Sequence, residues 1–231
     1  MHRIMVVDDD KKIVNMITEF MKIHNMKVVQ AFSGQQALEL LDESIQLIIL
    51  DINMDSLNGV EVCKMIRRKY NTPILFLSGN ATQYDKILGL GVGADDYITK
   101  PFDPLELIAR VNAHIRRSEQ YNKRRSTSKV ISFDEFTVHR NAYKLIRNDE
   151  EIYLSSTEFR LLLYFLDNAD QVLTRKQILA DVWESEHYDE NTVTTYVKRL
   201  REKIKGEEKD QTYIKSVRGV GYIFEADITF P

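Results

Sequence analysis

Apolar and polar positions fall into repeating blocks along the first half of the chain. Short runs dense in aliphatic side chains recur at Ile4 to Val7, Lys27 to Ala31, Leu47 to Leu50, Pro73 to Leu77 and Asp96 to Ile98. Between them the apolar positions take helical spacing: Ile13, Ile17, Phe20 and Met21, then Ala37, Leu38 and Leu41, then Val62, Met65 and Ile66. A helix over Pro104 to Arg117 closes the series. Continuous aliphatic runs suit strands covered on both faces, and their alternation with helices predicts right-handed βαβ units around a parallel sheet.

The pattern changes at "RSEQYNKRRSTSK", residues 117 to 129, which holds one aromatic and no aliphatic side chain and has the composition of a linker. Beyond it, short alternating segments at Val130 to Val138, Tyr143 to Ile146 and Ile152 to Leu154 predict a small antiparallel sheet. Three helical patterns follow. Ser155-Ser156-Thr157-Glu158 and Thr174-Arg175-Lys176-Gln177 are capping boxes at two of their starts. The third starts near Asp189. It sets Val193, Val197, Leu200 and Ile204 on one face and Asn191, Thr195, Lys198 and Glu202 on the other, flanked by Thr194, Arg199 and Arg201. Tyr213 to Val217 and Tyr222 to Glu225, joined by Gly219-Val220-Gly221, read as a terminal hairpin. The expected organisation is an α/β unit with a doubly wound five-stranded parallel sheet at residues 1–117, a linker at 118–129, and a smaller α+β unit at 130–231.

Composition narrows the class without naming a function. A chain of 231 residues, 43% hydrophobic and 29% charged, fits two ordinary globular domains and excludes collagen-like and disordered types. No apolar stretch reaches bilayer length and the N-terminus lacks a basic-then-apolar leader, so the expected place is the cytoplasm, with no membrane partner. Cys63 sits in a helical pattern and reads as packing. The net charge of −3 means that any affinity for nucleic acid needs a local basic surface.

In an open parallel sheet, sites form beyond the carboxyl ends of the strands. The first strand ends in Asp8-Asp9, the third in Asp51, the fourth in Ser78 and the fifth in Lys100-Pro101. Three carboxylates, a hydroxyl and an ammonium thus share one edge. Hard oxygen ligands suit Mg²⁺ rather than zinc, and a carboxylate beside such a cation can attack a phosphoryl group. Asp51 is the candidate nucleophile. Taken alone, Asp8-Asp9-Asp10 suits a solvated turn with Asp10 as a helix cap better than an ion site, and Lys100 suits a surface lysine; Thr99-Lys100-Pro101 also points to a cis bond.

"VVDDD", "LIILD", "LFLSG" and "GADDYITKPF" resemble the receiver domains of bacterial two-component response regulators, in order and spacing, over residues 1 to 117. The resemblance implies that Asp8, Asp9 and Asp51 hold Mg²⁺ with the backbone carbonyl of Asn53, and that Asp51 accepts phosphate from a sensor histidine kinase. Ser78 and Lys100 would contact the phosphoryl group, and Tyr97 would be the aromatic switch that follows Ser78 inward. It further implies a phosphorylation-dependent homodimer with cross pairs such as Lys86 with Glu106 and Asp96 with Arg110; ordinary pairing within one chain is the plainer reading of those four. Three positions depart from the usual pattern: Asp55 where proline is common, Asn58 in place of aspartate, and Gly79 in place of alanine.

"LSSTEFRLLLYFL", "LTRKQILADVW", "NTVTTYVKRLREKI" and "YIKSVRGVGYIF" resemble the winged-helix effector domain of OmpR/PhoB-type regulators over residues 130 to 227. By that resemblance Thr194, Thr195 and Arg199 approach base edges, Tyr196, Lys198, Arg201 and Ser216 contact phosphates, and Arg218 reaches the minor groove. Asn191 stands where arginine is common on the same face, and Tyr196 where histidine is common. The Glu184 to Glu190 loop beside Trp183 lies where relatives touch RNA polymerase. Without the resemblance, plain solvation is the better account of the basic helix face, and a plain acidic turn suits the loop nearly as well. The implied protein is no enzyme but a phosphorylated regulator of promoter DNA. Its rivals are an aspartyl-nucleophile phosphatase, for which Asn53 cannot be the second acid, and a constitutive DNA-binding protein whose receiver only dimerises.

Overall fold

The computed structural model describes residues 1–55, 57–79, 92–121, 130–183, 189–206 and 212–229, apart from the side chains of 117–121. The chain forms two compact units, Met1–Gln120 and Tyr121–Pro231.

The first unit runs β1 (Arg3–Val7), α1 (Lys11–Ile23), β2 (Lys27–Ala31), α2 (Gly34–Leu40), β3 (Leu47–Asp51), α3 (Gly59–Ile66), β4 (Ile74–Ser78), β5 (Asp96–Thr99) and α4 (Pro104–Tyr121). All five strands are parallel, in the order β2-β1-β3-β4-β5. Strand period explains the aliphatic runs. Ile4, Val6, Leu47, Ile49, Leu75 and Leu77 face α1 and α4, meeting Val14, Ile17, Met21, Leu107, Val111 and Ile115. Met5, Val7, Ile48, Leu50, Ile74 and Phe76 face the other way, against Ala37, Val62, Cys63 and Ile66. Cys63 is a buried packing residue, as its position in the pattern implies. The chain goes to one side of β1 for β2 and to the other for β3, so the strand order reverses between β1 and β3.

The helix α4 continues to Tyr121, four residues past the Arg117 at which the linker composition ended it. Ser118, Glu119, Gln120 and Tyr121 include no glycine or proline, and a polar run without a breaker carries a helix onward. Residues 122–129 of the expected linker lie outside the described residues.

The second unit opens with β6 (Val130–Phe133), β7 (Phe136–His139), β8 (Lys144–Arg147) and β9 (Glu150–Ile152), an antiparallel sheet to which β13 (Ile228–Thr229) adds. The segment Val130 to Val138 is therefore a hairpin, turned at Asp134 with φ 43°. Then come α5 (Ser156–Asp167), β10 (Leu173–Thr174), α6 (Arg175–Trp183), α7 (Glu190–Lys203), β11 (Ile214–Val217) and β12 (Gly221–Phe224). The expected terminal hairpin is β11–β12, with β10 as a third strand on β12. A Cβ at Gly221 would lie 2.0 Å from the Leu173 carbonyl oxygen, so only glycine allows β10 to approach so closely. Both capping boxes form: Ser155 with Glu158, and Thr174 with Gln177. Phe133, Phe136, Tyr213 and Phe224 pack between sheet and hairpin, stacked or edge-on, with ring centroids 5.0 to 6.0 Å apart.

Candidate phosphoacceptor site and nucleic-acid interface

The carboxyl ends of β1 and β3, beside the strand-order reversal, carry the acids. Ligand oxygens of Asp8, Asp9 and Asp51 all lie within 4.8 Å of one another. Asp8 and Asp51 are 1% and 3% exposed, whereas Asp9 faces solvent. Lys100, delivered by β5 with a cis bond to Pro101, places Nζ 2.7 Å from Asp8 Oδ2 and 2.7 Å from Asp51 Oδ1. Asp8 Oδ1 also accepts the Asp10 amide at 2.9 Å, and Asp10 caps α1 by accepting from the Lys12 amide. The triplet is thus divided: Asp8 and Asp9 belong to the acidic site and Asp10 starts the helix.

Burial pushes the Asp51 carboxyl above its ordinary pKa, Lys100 opposes the shift, and the charges of Asp8 and Asp9 add to it. Burial acts to lower the Lys100 ammonium, but its contacts with Asp51 and Asp8 outweigh that and hold it above its usual value. One ammonium among three carboxylates leaves an excess of negative charge. An all-oxygen set of this kind, without histidine or cysteine, has the chemistry of a hard divalent cation site and fits Mg²⁺. Ser78, at the end of β4, is buried, and its carbonyl accepts the Lys100 amide at 2.6 Å. The loop after β3 is held close: a Cβ on Gly59 would meet the Asp51 carbonyl oxygen at 2.1 Å. In that loop Asn53 is exposed, and the Asp55 amide donates to Asp9 Oδ2 at 3.0 Å.

In the second unit α7 is capped by Asp189 and buries Val193, Val197 and Leu200, as its spacing predicts. Asn191, Thr194, Lys198, Ser216 and Arg218 are exposed and Thr195 and Arg201 partly so. Arg201 donates to Ser216 Oγ at 2.9 Å and to the Ile214 carbonyl at 2.8 Å, joining α7 to β11. Tyr222, which the sequence did not single out, donates to Thr194 Oγ1 at 3.3 Å and lies under the guanidinium groups of Arg175 and Arg201.

Two residues expected at nucleic acid face inward instead. Tyr196 is 0% exposed and packs edge-on against Trp183 at 5.1 Å. Arg199 is 9% exposed, lies over the Tyr196 ring, and pairs with the fully buried Glu158 of α5 at 2.7 Å. The cause is electrostatic. Glu158 sits in the core and needs cations, and Arg199 and Lys203, one helical turn apart, supply them. Burial acts to raise the Glu158 carboxyl, yet these two cations and the Ser155 amide hold it below the usual range. Glu158 had been legible only as half of a capping box.

Residues 4–112 match the family described as "Response regulator receiver domain" and residues 149–224 the family "Transcriptional regulatory protein, C terminal". The chain is 39% identical over 221 residues to the uncharacterized transcriptional regulatory protein YcbL of Bacillus subtilis (strain 168), covering 94% of this chain and 98% of that one. The chain is an OmpR/PhoB-type response regulator. Regulatory protein VanR of Enterococcus faecium is 37% identical over 227 residues, 96% of this regulator and 98% of VanR. Among solved structures, a RitR mutant matches with a TM-score of 0.83 at 25% identity, covering 97% of the regulator and 99% of that chain.

Three of the four residues expected at a pairing face form a compact network in the receiver of this regulator. Arg110 bonds Asp96 Oδ1 at 3.0 Å and Glu106 Oε1 at 2.7 Å within the one chain, so the plainer reading of these three holds in the single copy. His114, unforeseen in the sequence, adds a contact from Nε2 to Asp96 Oδ2 at 3.2 Å. Tyr97 is half-buried against the core layer that holds Phe76. Lys86 and positions 184–188 of the acidic loop lie outside the described residues. Among the described residues no helix is long and apolar enough to cross a membrane.

Proposed function

We propose that this regulator is switched by phosphorylation of Asp51 by a sensor histidine kinase, pairs through its receiver, and binds promoter DNA with α7 and the β11–β12 wing. The convergence of Asp8, Asp9, Asp51 and Lys100 at one strand edge carries the reading. Asp8, Asp9, Asp51 and the Asn53 carbonyl would hold Mg²⁺, which would supply positive charge for the oxygens in transfer. Asp51 attacks phosphorus as the phosphorus–nitrogen bond to the donor imidazole breaks, and Lys100 binds one of the transferred oxygens. Asn53, at the place where aspartyl-nucleophile phosphatases carry their second acid, cannot protonate a leaving group, so the reading is a phosphoacceptor and not a turnover enzyme.

The phosphoryl group adds roughly −1.5 to −2 charge at a buried position. Ser78 moves in to bind it and Tyr97 takes the space, repacking the face of β5 and α4. Arg110 and Asp96 then exchange their intrachain pairing for cross pairs in a homodimer, with Lys86 and Glu106 beside them. On DNA, Thr194 and Thr195 reach base edges, Asn191, Lys198, Arg201 and Ser216 reach phosphates, and Arg218 enters the minor groove. Tyr196 and Arg199 support the helix from behind. The regulator works in the cytoplasm, and the loop before α7 is its contact with RNA polymerase.

Gel shift and sedimentation with acetyl phosphate or beryllofluoride plus Mg²⁺ test this. Wild type is expected to gain dimer and promoter affinity, and Asp51→Ala to gain neither. Equal behaviour of the two, or a footprint independent of phosphate, rejects the switch.

A further inference from the structure

The three acids are not held alike. Asp8 and Asp51 are both pinned by Lys100, and Asp8 also accepts the Asp10 amide. Asp9 is exposed, and among the described residues its carboxylate accepts one hydrogen bond, to Oδ2 from the Asp55 amide at 3.0 Å. That amide is itself fixed. The Asp55 carbonyl accepts the Leu57 amide at 3.0 Å, the Ile52 carbonyl accepts the Gly59 amide at 3.0 Å, and Asn58 caps α3 through the Glu61 amide at 2.9 Å.

From this geometry we infer that the backbone N–H of Asp55 is a positioning group for the metal site, latching Asp9 in ligating orientation from the loop after β3. The inference rests on the reading of the acids as a Mg²⁺ site. A free, exposed carboxylate must surrender its rotamer freedom when it binds a cation, and a hydrogen bond made beforehand removes part of that cost. The latch acts through the main chain, so every residue type at position 55 can supply it except proline, which has no N–H. Groups that orient ligating side chains from behind typically change metal affinity about 10–100-fold when removed.

The test uses full-length protein without a phosphodonor and titrates Mg²⁺ by calorimetry. Asp55→Ala and Asp55→Pro both lack the carboxylate, so the difference between them reads the N–H. Asp55→Pro is expected to bind Mg²⁺ about 10-fold more weakly than Asp55→Ala; affinities within about twofold of each other overturn the inference. Proline also restricts the loop backbone, so a second measurement avoids it. In Mg²⁺-free protein, hydrogen exchange at the Asp55 amide is expected to accelerate at least tenfold in Asp9→Ala, and unchanged exchange overturns the latch. A wild type that takes up no Mg²⁺ at all overturns the metal reading itself, and the inference with it. A wild type that binds Mg²⁺ while the two variants bind alike overturns the inference alone.

Discussion

Asp51, the proposed phosphoacceptor, sits where burial works against stability. Its carboxylate is buried beside two others with one ammonium to serve them, and its pKa is raised by burial first and by Asp8 and Asp9 as well. An acid whose native pKa lies above its unfolded value of 3.8 favours the folded state while protonated. That contribution is complete below the unfolded value and is lost as pH rises through the native one. Asp51→Asn keeps the shape and removes the charge, leaving Lys100 its pairing with Asp8. The variant is therefore expected to melt a few degrees above wild type at pH 7 without Mg²⁺. The gain should shrink towards zero as pH falls below 4, and added Mg²⁺ should reduce it by relieving the repulsion in wild type. Thermal melts across pH, with and without the cation, check this; a variant less stable at pH 7 rejects the account.

Elements differ in how plainly the sequence declares them. The strands β1, β3 and β4 are aliphatic runs because both their faces are covered, and β5 is short but is followed directly by the lysine that pairs with Asp8 and Asp51. The acidic edge is legible for the same reason: strand ends deliver their next residue to one place. What escaped was burial of polar groups by partners distant in sequence. The apolar positions of α7 define its inner face correctly, but the width of that face was underestimated, since an arginine stem and a tyrosine ring pack as apolar matter once a carboxylate waits inside. Periodicity within α7 carries no information about a carboxylate on α5. The pairing makes a prediction about the whole helix pair. Glu158→Ala leaves Arg199 and Lys203 facing the core without their anion, and is expected to cost the second unit about 3–5 kcal/mol. Because the Glu158 carboxyl is held below its ordinary 4.5, the stability that it contributes is present above that pH and is lost as pH falls through the lower native value. Denaturant unfolding of wild type and variant should therefore differ most at pH 7, and the difference should narrow as pH falls below 4.5.

The molecule as a whole consists of two units that each close a core of their own. The proposed switch does not require them to behave as one rigid body. Moving a two-state equilibrium from 1:99 to 99:1 takes about 5.5 kcal/mol of differential stabilisation. A phosphoryl group gains its contacts inside the receiver, and pairing of receivers can pass that energy on by bringing two winged helices to adjacent half-sites at high effective concentration. On that mechanism the resting chain should show two separable unfolding events. A cation bound only by the folded receiver stabilises it by about 2.7 kcal/mol at a concentration 100-fold above its dissociation constant, with no direct effect on the other unit. Calorimetry of the full chain is expected to show Mg²⁺ raising one transition alone, and Glu158→Ala lowering the other alone. If Mg²⁺ without phosphate raises both, or a single transition responds to both perturbations, the units are already coupled at rest and the signal reaches the DNA-binding unit through the chain itself before any dimer forms.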